Sequence, residues 1–334
     1  MDLTAREIHL RQRPHGEPTL DDFAFVEHEL AEPAEGELLV RNHWLSVDPY
    51  MRGRMSDRTS YIAPFEVGAV MDGGAVGEVI ASGDERFARG DRVLHGAGWR
   101  DLALIPARRA QKVDATVVPE QAYLGVLGMP GLTAYAGLVE VAPVRDGDVV
   151  LISSAAGAVG SAAAQLARLL GATRVIGIAG GPAKTSYVIE ELGCESAIDY
   201  KQTPVRPQLR AIAPDGIDVF FDSVGGEQLE AAIGSLRVRG RIAVCGAISI
   251  YNATEATPGP RNLDRLIQTR GQIRGMLVGD HVHLRDRFLA QVGGWMASGA
   301  LRYRETIVDG FESTPQAFIE LLNGANIGKM LVRV

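Results

Sequence analysis

The chain beyond Pro119 alternates short apolar stretches with longer helical ones, and this pattern constrains the fold more than any other feature. Such alternation is typical of parallel βαβ units. Apolar stretches predict strands over residues 149–153, 174–178, 196–199, 218–222, 241–245 and 273–278. A doubly wound parallel sheet commonly has six strands, so the sequence predicts an α/β domain of that kind.

The chain from Leu3 to about Lys112 has a different texture. Short alternating stretches, such as 37–42 and 77–81, are interrupted repeatedly by Gly, Pro or Asp. This pattern predicts an all-β domain. The end of the chain predicts helix, strand, helix and strand over 285–298, 303–308, 314–322 and 330–334. We expect this tail to rejoin the β domain.

Length, charge and cysteine usage exclude several classes of protein. The 334 residues suffice for two domains, and the formal charge of −7 comes without a basic run, so no nucleic-acid partner is expected. Cys194 and Cys245 lie in separate apolar stretches, which excludes a disulfide framework and favours the reducing cytoplasm.

Residues 1–16 lack the apolar core of a signal peptide. The uncharged stretch 149–167 has the length of a membrane span, but its Gly, Ser and Ala content predicts strand, turn and helix, so no membrane association is expected.

The first predicted strand of the α/β domain leads into the turn AAGAVG and then into a small-residue helix over 161–170. A dinucleotide fingerprint needs glycine where the backbone approaches the pyrophosphate and where helix and strand pack closely, and Gly157 and Gly160 fill those places. Ala155 stands where the first glycine is usual. Small residues can also serve only to pack a helix on a sheet, but the strand before and the helix after favour a dinucleotide site.

The second predicted strand distinguishes NADP from NAD. NAD sites usually carry Asp or Glu at the end of this strand to hold the ribose hydroxyls. Here the strand ends in the sequence AGGPAK, from Ala179 to Lys184, which contains no carboxylate. Lys184 alone would be interpreted as a solvated helix residue. The missing acid therefore favours NADP(H), whose 2′-phosphate would meet open backbone and a lysine.

Longer stretches of the chain resemble one known family. They are, in order, LSVDPYMRGRM at 45–55, GMPGLTAY at 128–135, AAGAVGS at 155–161, GIAGGPAK at 177–184, AIDYK at 197–201, FDSVGGE at 221–227, GRIAVCGAIS at 240–249 and NIGKMLV at 326–332. The chain resembles, essentially end to end, the zinc-free branch of the medium-chain dehydrogenase/reductase superfamily. This group includes leukotriene 12-hydroxydehydrogenase, prostaglandin reductase and alkenal or enone double-bond reductases.

The resemblance implies a GroES-like β-rich catalytic domain over 1–122 and a Rossmann NADP-binding domain over 123–299. Residues 300–334 would return to the catalytic domain, and the nicotinamide would lie in a cleft between the domains. The family also implies a homodimer formed through an edge strand of the Rossmann sheet. The apolar stretch 275–278 is compatible with that interface.

The matching positions imply a set of cofactor-binding residues. These are Gly157, Ala158, Val159, Gly160, Lys184, Tyr200, Ser223, Cys245, Gly246, Ala247, Ile248, Ser249, Tyr251, Met276, Leu277, Val278 and Asn326. Lys184 and Tyr200 would bind the 2′-phosphate. The family commonly has Asn where this chain has Ser223, so a shorter side chain stands at that contact.

The residues do not predict a metal site. Zinc relatives need a cysteine and a His-Glu pair in the catalytic domain, and the corresponding places hold Asp48 and Gly73-Gly74. His281 and His283 could suggest a metal, but two loop histidines without a third ligand are more often surface residues.

Hydride transfer without a metal suits a carbon that is already electrophilic, such as the β-carbon of an enone or enal. The site then needs hydrogen-bond donors for the developing oxyanion and a proton source for the α-carbon. Tyr50 is the first catalytic candidate, since zinc relatives carry a proton-relaying hydroxyl residue in that stretch, and Tyr251 is the second. The alternative for each is a core tyrosine with a locally satisfied hydroxyl.

Several relatives have a tyrosine, a suggested proton donor, where this chain has Gln268. Trp44, Tyr61 and Phe65 could line an apolar substrate pocket, although aromatics in a β domain are more often core.

Together, the residues and the family resemblance predict an NADPH-dependent reductase of α,β-unsaturated ketones and aldehydes. The alternatives are a quinone reductase and a noncatalytic NADPH-binding protein.

Overall fold

The computed structural model describes residues 3–334 and divides the chain into two compact units. The β-rich unit contains the described residues up to Leu124, together with Glu305–Asn326 and Met330–Val334. The α/β unit contains Gly125–Arg304 and Ile327–Lys329.

The secondary structure follows the predicted order of elements. The strands are β1 Thr4–Leu10, β2 Phe23–Glu29, β3 Glu37–Ser46, β4 Ala75–Ser82, β5 Arg92–His95, β6 Leu102–Pro106, β7 Gln111–Lys112, β8 Val149–Ile152, β9 Arg174–Ala179, β10 Ser196–Asp199, β11 Ile217–Asp222, β12 Leu236–Val244, β13 Gln272–Gly275, β14 Glu305–Asp309 and β15 Lys329–Arg333. The α-helices are α1 Tyr50–Arg54, α2 Met129–Ala136, α3 Ala158–Leu169, α4 Pro182–Glu190, α5 Val205–Ile212, α6 Gly226–Gly234, α7 Arg265–Thr269, α8 Arg285–Ala297 and α9 Thr314–Leu322. A π-helical turn follows α2 at Gly137–Val141, and 3-10 segments include Ile248–Ile250 and Val278–Leu284.

The β-rich unit contains two sheets. Strands β1 and β2 form an antiparallel pair, and a seven-stranded sheet has the order β14-β15-β3-β4-β5-β7, with β6 also paired to β3. The end of the chain belongs to this sheet, because β15 pairs antiparallel with β3 and sets Val332 opposite Leu45. The core of the unit includes the fully buried Met51, Trp99 and Phe318. Trp99 meets Phe318 edge to face with ring centroids 5.8 Å apart, a favourable aromatic geometry.

The α/β unit is built on a parallel sheet with the strand order β10-β9-β8-β11-β12-β13. Counted along the chain from β8, this order is 3-2-1-4-5-6, that of a doubly wound dinucleotide-binding fold. All four residues of β8 (VVLI) are buried, as a strand covered by helices on both faces requires. The predicted α/β fold class is confirmed.

One predicted strand is partly wrong. The expected strand over 273–278 ends at Gly275, and a 3-10 segment begins at Val278. Met276 still donates its backbone N–H to the Val244 carbonyl at 3.1 Å, after which pairing stops. A short apolar stretch cannot by itself distinguish a strand from a helical turn, which explains the error. The stretch 275–278 therefore does not serve as an apolar edge strand, although β13 does lie at one end of the sheet.

The uncharged stretch 149–167 is divided between β8, a turn and the start of α3, as predicted. Among the helices of residues 3–334, none is long and apolar enough to cross a membrane.

Candidate cofactor and active site

The turn between β8 and α3 is closed by backbone contacts that require glycine. Ser154 has a φ of 47°, and its carbonyl accepts a hydrogen bond of 2.8 Å from the Gly157 N–H. A Cβ on Gly160 would lie 2.1 Å from the same carbonyl oxygen, so any larger residue would push α3 away from the turn. The glycine therefore holds the N-terminus of a twelve-residue helix against this turn. Helix N-termini present N–H groups and a partial positive charge to anions, which suits a pyrophosphate.

Ala155, in place of the first fingerprint glycine, is accommodated by a glycine elsewhere. Its methyl group is fully buried and lies 2.8 Å from the point where Gly177 would carry a Cβ. Because Gly177 on β9 has no side chain, the methyl group fits without displacing the turn. The absence of a side chain on β9 therefore provides the room that Ala155 needs in the turn after β8.

Gly328 is a further part of this turn that the sequence interpretation missed. Its N–H donates to the Ala156 carbonyl at 2.7 Å, and it forms an isolated bridge with Gly157. Its φ is 72° and a Cβ would lie 1.8 Å from the Arg304 carbonyl oxygen, so the position needs glycine. The stretch NIGK could have given the signal, since it carries this glycine two residues after the predicted contact Asn326, which is buried.

The end of β9 has the features expected of a 2′-phosphate site. The strand stops at Ala179 without an acidic residue, and Gly181 has a φ of 91°. The Gly181 N–H donates to the Asp199 carboxylate at 2.9 Å, which fixes the start of α4. Tyr200 is 46% exposed, and its ring lies 2.8 Å from where a Cβ of Gly180 would stand. A phosphate could therefore approach the backbone and the tyrosine together.

Lys184 lies close enough to a second lysine to respond to its charge. The pKa of Lys184 is lowered, first by burial and then by the charge of Lys201. Lys201 is held in place because its backbone N–H donates to the Asp199 carboxylate at 3.0 Å. An anion shared by the two ammonium groups would offset their repulsion. Sequence reasoning missed Lys201, although it follows Tyr200 directly.

Asp222, at the end of β11, organises the loop that follows it. Its side chain is fully buried and accepts hydrogen bonds from the Ser153 hydroxyl at 3.1 Å and from the N–H groups of Val224 and Gly225 at 2.9 and 3.0 Å. Burial raises the pKa of Asp222, and these donors partly oppose that rise. The Ser153 hydroxyl accepts in turn from the Ser223 N–H at 2.7 Å. Asp222 therefore connects the ends of β8 and β11, the pair of strands where the strand order reverses.

Several predicted cofactor contacts are gathered along this loop. The Ser223 hydroxyl lies 3.2 Å from the Cys245 sulfur, and the Ser223 carbonyl accepts from the Ile248 N–H at 3.2 Å. The Ser249 hydroxyl donates to the Val224 carbonyl at 2.6 Å. Burial raises the pKa of Cys245 to about 12, so this thiol stays protonated at neutral pH. The loops after β11 and β12 are thus joined side by side.

Tyr251 lies at the end of the same stretch. Its hydroxyl accepts a long hydrogen bond of 3.4 Å from the Ala247 N–H, and it lies 3.5 Å from where a Cβ of Gly246 would stand. After β13, the sulfur of Met276 packs 3.2 Å from the Cβ position of Gly137, and Leu277 is partly exposed. The structure therefore brings the predicted contacts of residues 245–251 together at the strand ends.

Tyr50 is the first residue of α1 in the β-rich unit and packs against its core. Its pKa is raised well above the usual range, first by burial and then by the charge of Asp48. The Asp48 carboxylate is buried and accepts a hydrogen bond from the Ser46 hydroxyl. The Tyr50 hydroxyl therefore keeps its proton at neutral pH and is suited to donate a hydrogen bond.

The aromatic residues predicted to line a substrate pocket, and Gln268, differ in how far they are buried. Phe65 is 4% exposed in the core, with the Arg54 guanidinium 3.9 Å from its ring centroid. The Trp44 indole N–H donates to Glu120 at 3.1 Å, whereas Tyr61 is 64% exposed. Gln268 lies exposed on the short helix α7.

Two of the positions that correspond to zinc ligands in zinc-dependent relatives are glycines here. Gly73 and Gly74 have no side chain, and a Cβ on Gly73 would lie 2.4 Å from the terminal methyl group of Met51. The premise that His281 and His283 lack a third ligand is wrong, because Glu140 lies beside both. Glu140 is 141 residues before His281, so spacing could not reveal this neighbour.

A doubly wound parallel sheet with a glycine turn after its first strand defines a dinucleotide-binding class of protein. The chain matches two family models, "N-terminal domain of oxidoreductase" over residues 6–113 and "Zinc-binding dehydrogenase" over residues 158–292. It is 40% identical to the NADPH-dependent curcumin reductase of Escherichia coli, covering 97% of this chain and 95% of that protein. It is also 40% identical to the NADP(+)-dependent 2-alkenal reductase of Nicotiana tabacum, covering 89% of this chain and 87% of that protein.

The same two-domain reductase fold is found in a solved structure. The crystal structure of CurA in complex with NADPH from Vibrio vulnificus superposes with a TM-score of 0.93 at 40% identity, covering 98% of this chain and 99% of that one. The chain belongs to the zinc-free branch of the medium-chain dehydrogenase/reductase superfamily. It is an NADP-dependent oxidoreductase, and the predicted cofactor NADP(H) is confirmed.

Proposed function

We propose that the protein reduces the carbon-carbon double bond of α,β-unsaturated ketones and aldehydes with NADPH and without zinc. The main support is the similarity, over most of the chain, to proteins named curcumin reductase and 2-alkenal reductase. Bound NADPH supplies the hydride for such a reaction.

The chain's own residues would bind this cofactor at three places. The turn around Gly157 and Gly160 holds the pyrophosphate at the start of α3, a place that larger side chains would obstruct. Lys184, Lys201 and Tyr200 bind the 2′-phosphate. The loops at 223–225 and 245–251, together with Met276, Leu277, Val278 and Asn326, contact the rest of the dinucleotide.

Tyr50 would act on the substrate carbonyl. As the β-carbon receives a hydride, negative charge moves onto the carbonyl oxygen, and a fixed donor stabilises it. The raised pKa of Tyr50 keeps the hydroxyl protonated for this role. Tyr251 is the second candidate for a donor or proton relay. At the position of Gln268 an amide replaces the proposed donor of relatives, so the proton for the α-carbon would come from another hydroxyl group or from water.

A substrate panel tests the proposed reaction. Purified protein with NADPH should reduce medium-chain 2-alkenals and aryl enones at the double bond, with saturated carbonyl compounds as products in mass spectrometry. Oxidation of alcohols with NADP, together with unreduced enones, would refute it. One-electron products from quinones would support the quinone-reductase alternative, and tight NADPH binding without turnover would support a noncatalytic role.

Tyr50→Phe tests the role of the hydroxyl. Loss of one oxyanion donor typically lowers kcat by about 100- to 1000-fold, and we expect a fall of that order with little change in the Kd for NADPH. Tyr123→Phe is the matched control, because the Tyr123 hydroxyl donates only to the backbone carbonyl of Asp114 at 3.3 Å. If the two variants keep equal kcat values, Tyr50 has no such role.

A homodimer and a cytoplasmic location complete the proposal. Strand β13 lies at one end of the parallel sheet and could pair with a second copy. Light scattering coupled to size-exclusion chromatography should give twice the chain mass, and a monomer mass would refute the dimer. Cell fractionation tests the location.

A further inference from the structure

Two histidines and a glutamate of the α/β unit converge where the π-helical turn Gly137–Val141 meets the segment Val278–Leu284. One oxygen of Glu140 lies 2.7 Å from Nδ1 of His281, and the other lies 2.9 Å from Nε2 of His283. The potential ligand atoms of the three residues all lie within 4.8 Å of one another. The two imidazole rings are tilted by 42°, with centroids 6.1 Å apart.

Local irregularities of the backbone create this arrangement. Glu140 belongs to the π-helical turn Gly137–Val141. Such turns are rare in proteins, but those that occur are often found at functional sites. In a regular 3-10 helix, residues two apart point to different sides, because each turn takes three residues. The segment Val278–Leu284 is kinked at His281, which has a φ of −114° and a ψ of 18°. The kink lets His281 and His283 approach the same carboxylate.

The main chain of Glu140 is held separately from its carboxylate. Arg274 donates to the Glu140 backbone carbonyl at 3.1 Å, which leaves both carboxylate oxygens to the histidines. The His281 side chain is 13% exposed, whereas that of His283 is 58% exposed, so an ion could enter from solvent.

We propose that Glu140, His281 and His283 bind one divalent transition-metal ion, with Zn²⁺ as the best fit. Imidazole nitrogens and a carboxylate oxygen are ligands that Zn²⁺ accepts, and three protein ligands leave a fourth position for water. With bonds near 2.1 Å, tetrahedral ligands lie about 3.4 Å apart, so the contact of Glu140 with His281 needs to lengthen by about 0.7 Å and that with His283 by about 0.5 Å. The more exposed side chains of Glu140 and His283 can make that adjustment.

The ion would fasten the π-helical turn to the segment Val278–Leu284. That segment begins at Val278, a predicted cofactor contact, but the site itself contains none of the residues proposed for catalysis. Zinc binding should therefore stabilise the fold without being required for hydride transfer.

Isothermal titration of EDTA-treated, untagged full-length protein with ZnCl₂ tests the site. We expect one saturable ion per chain and a zinc-dependent rise in Tm. Glu140→Gln, His281→Gln and His283→Gln should each weaken binding by about tenfold or more, because even outer-shell changes at metal sites cost about that much. His28→Gln is the matched control, since His28 is exposed on β2 and lies outside the group.

The results separate a built site from incidental binding. Loss of affinity in all three variants, with His28→Gln unchanged, supports the proposal. Absence of saturable binding by the unaltered protein, or full affinity in any one of the three variants, overturns it. Circular dichroism of each metal-free variant checks that the fold is retained.

Discussion

Replacing Lys184 with alanine isolates the contact that should distinguish NADPH from NADH. The two cofactors differ only in the 2′-phosphate, and Lys184 lies at the start of α4 where that phosphate would bind. The pKa of Lys184 is lowered first by burial and then by the charge of Lys201, which places the two ammonium groups within reach of one anion. Both lysines should therefore contribute to the same phosphate.

The size of the effect follows from the contact. A hydrogen bond to a charged group contributes about 1.5–3 kcal/mol, which corresponds to about 10- to 150-fold in affinity. Lys184→Ala also removes its repulsion with Lys201, so we expect the lower end, about tenfold, for NADPH. The Kd for NADH should change by less than about threefold, because NADH has no 2′-phosphate for the ammonium group to bind. The double variant with Lys201→Ala should lose more NADPH affinity than either single variant.

Fluorescence titration of both cofactors measures these constants directly. Lys112→Ala is the control, since Lys112 pairs with Asp91 at 2.7 Å in the β-rich unit and should leave both Kd values unchanged. Equal losses of NADPH and NADH affinity in Lys184→Ala would refute the assignment. They would mean that the lysine supports the fold and does not bind the phosphate.

Three further predictions concern the same unit. Gly160→Ala should weaken the binding of NADPH and of NADH by about tenfold or more, because the added Cβ would lie 2.1 Å from the Ser154 carbonyl oxygen. Gly293→Ala is the control, since Gly293 on α8 has open space around it and the variant should bind both cofactors normally. Equal behaviour of the two variants would contradict the argument. Arg241→Leu should lower the free energy of unfolding in urea by about 3–5 kcal/mol, because it leaves the buried Asp148 carboxylate without its cation. The double variant with Asp148→Leu should recover much of this loss, and a double variant as unstable as the single one would refute the explanation. The preference for NADPH over NADH should decrease as pH rises through the lowered pKa of Lys184, because the lysine loses its charge there. A constant ratio of the two Kd values across alkaline pH would argue against a role of Lys184 in binding the phosphate.

Local patterns predicted much of the α/β unit. The stretch VVLISSAAGAVG carries both the buried strand and the glycine turn, and the structure places β8 and α3 on it. Hydrophobic periodicity works here because a strand covered on both faces leaves a continuous apolar run. In the β-rich unit, the helix Thr314–Leu322 also has the predicted bounds.

The errors and omissions involve contacts between distant parts of the chain. Met276 follows β13 as an apolar residue, but only the partner strand β12 determines where pairing ends. Gly328 reaches the turn at Gly157 from near the end of the sequence, and Glu140 meets His281 across 141 positions. No local pattern encodes such meetings. Lys201 was missed for a related reason, since its significance depends on how close Lys184 lies in space.

The hydrogen bonds of Asp222 have a consequence for how the cofactor binds. The carboxylate joins Ser153 after β8 to the loop after β11, and that loop is joined to the one after β12 through Ser223 and Ser249. The loss of conformational entropy needed to order these loops has therefore already occurred when the chain folds. If a dinucleotide binds at the proposed contacts, it would meet loops that are already joined by hydrogen bonds, and such preorganisation favours affinity without adding contacts.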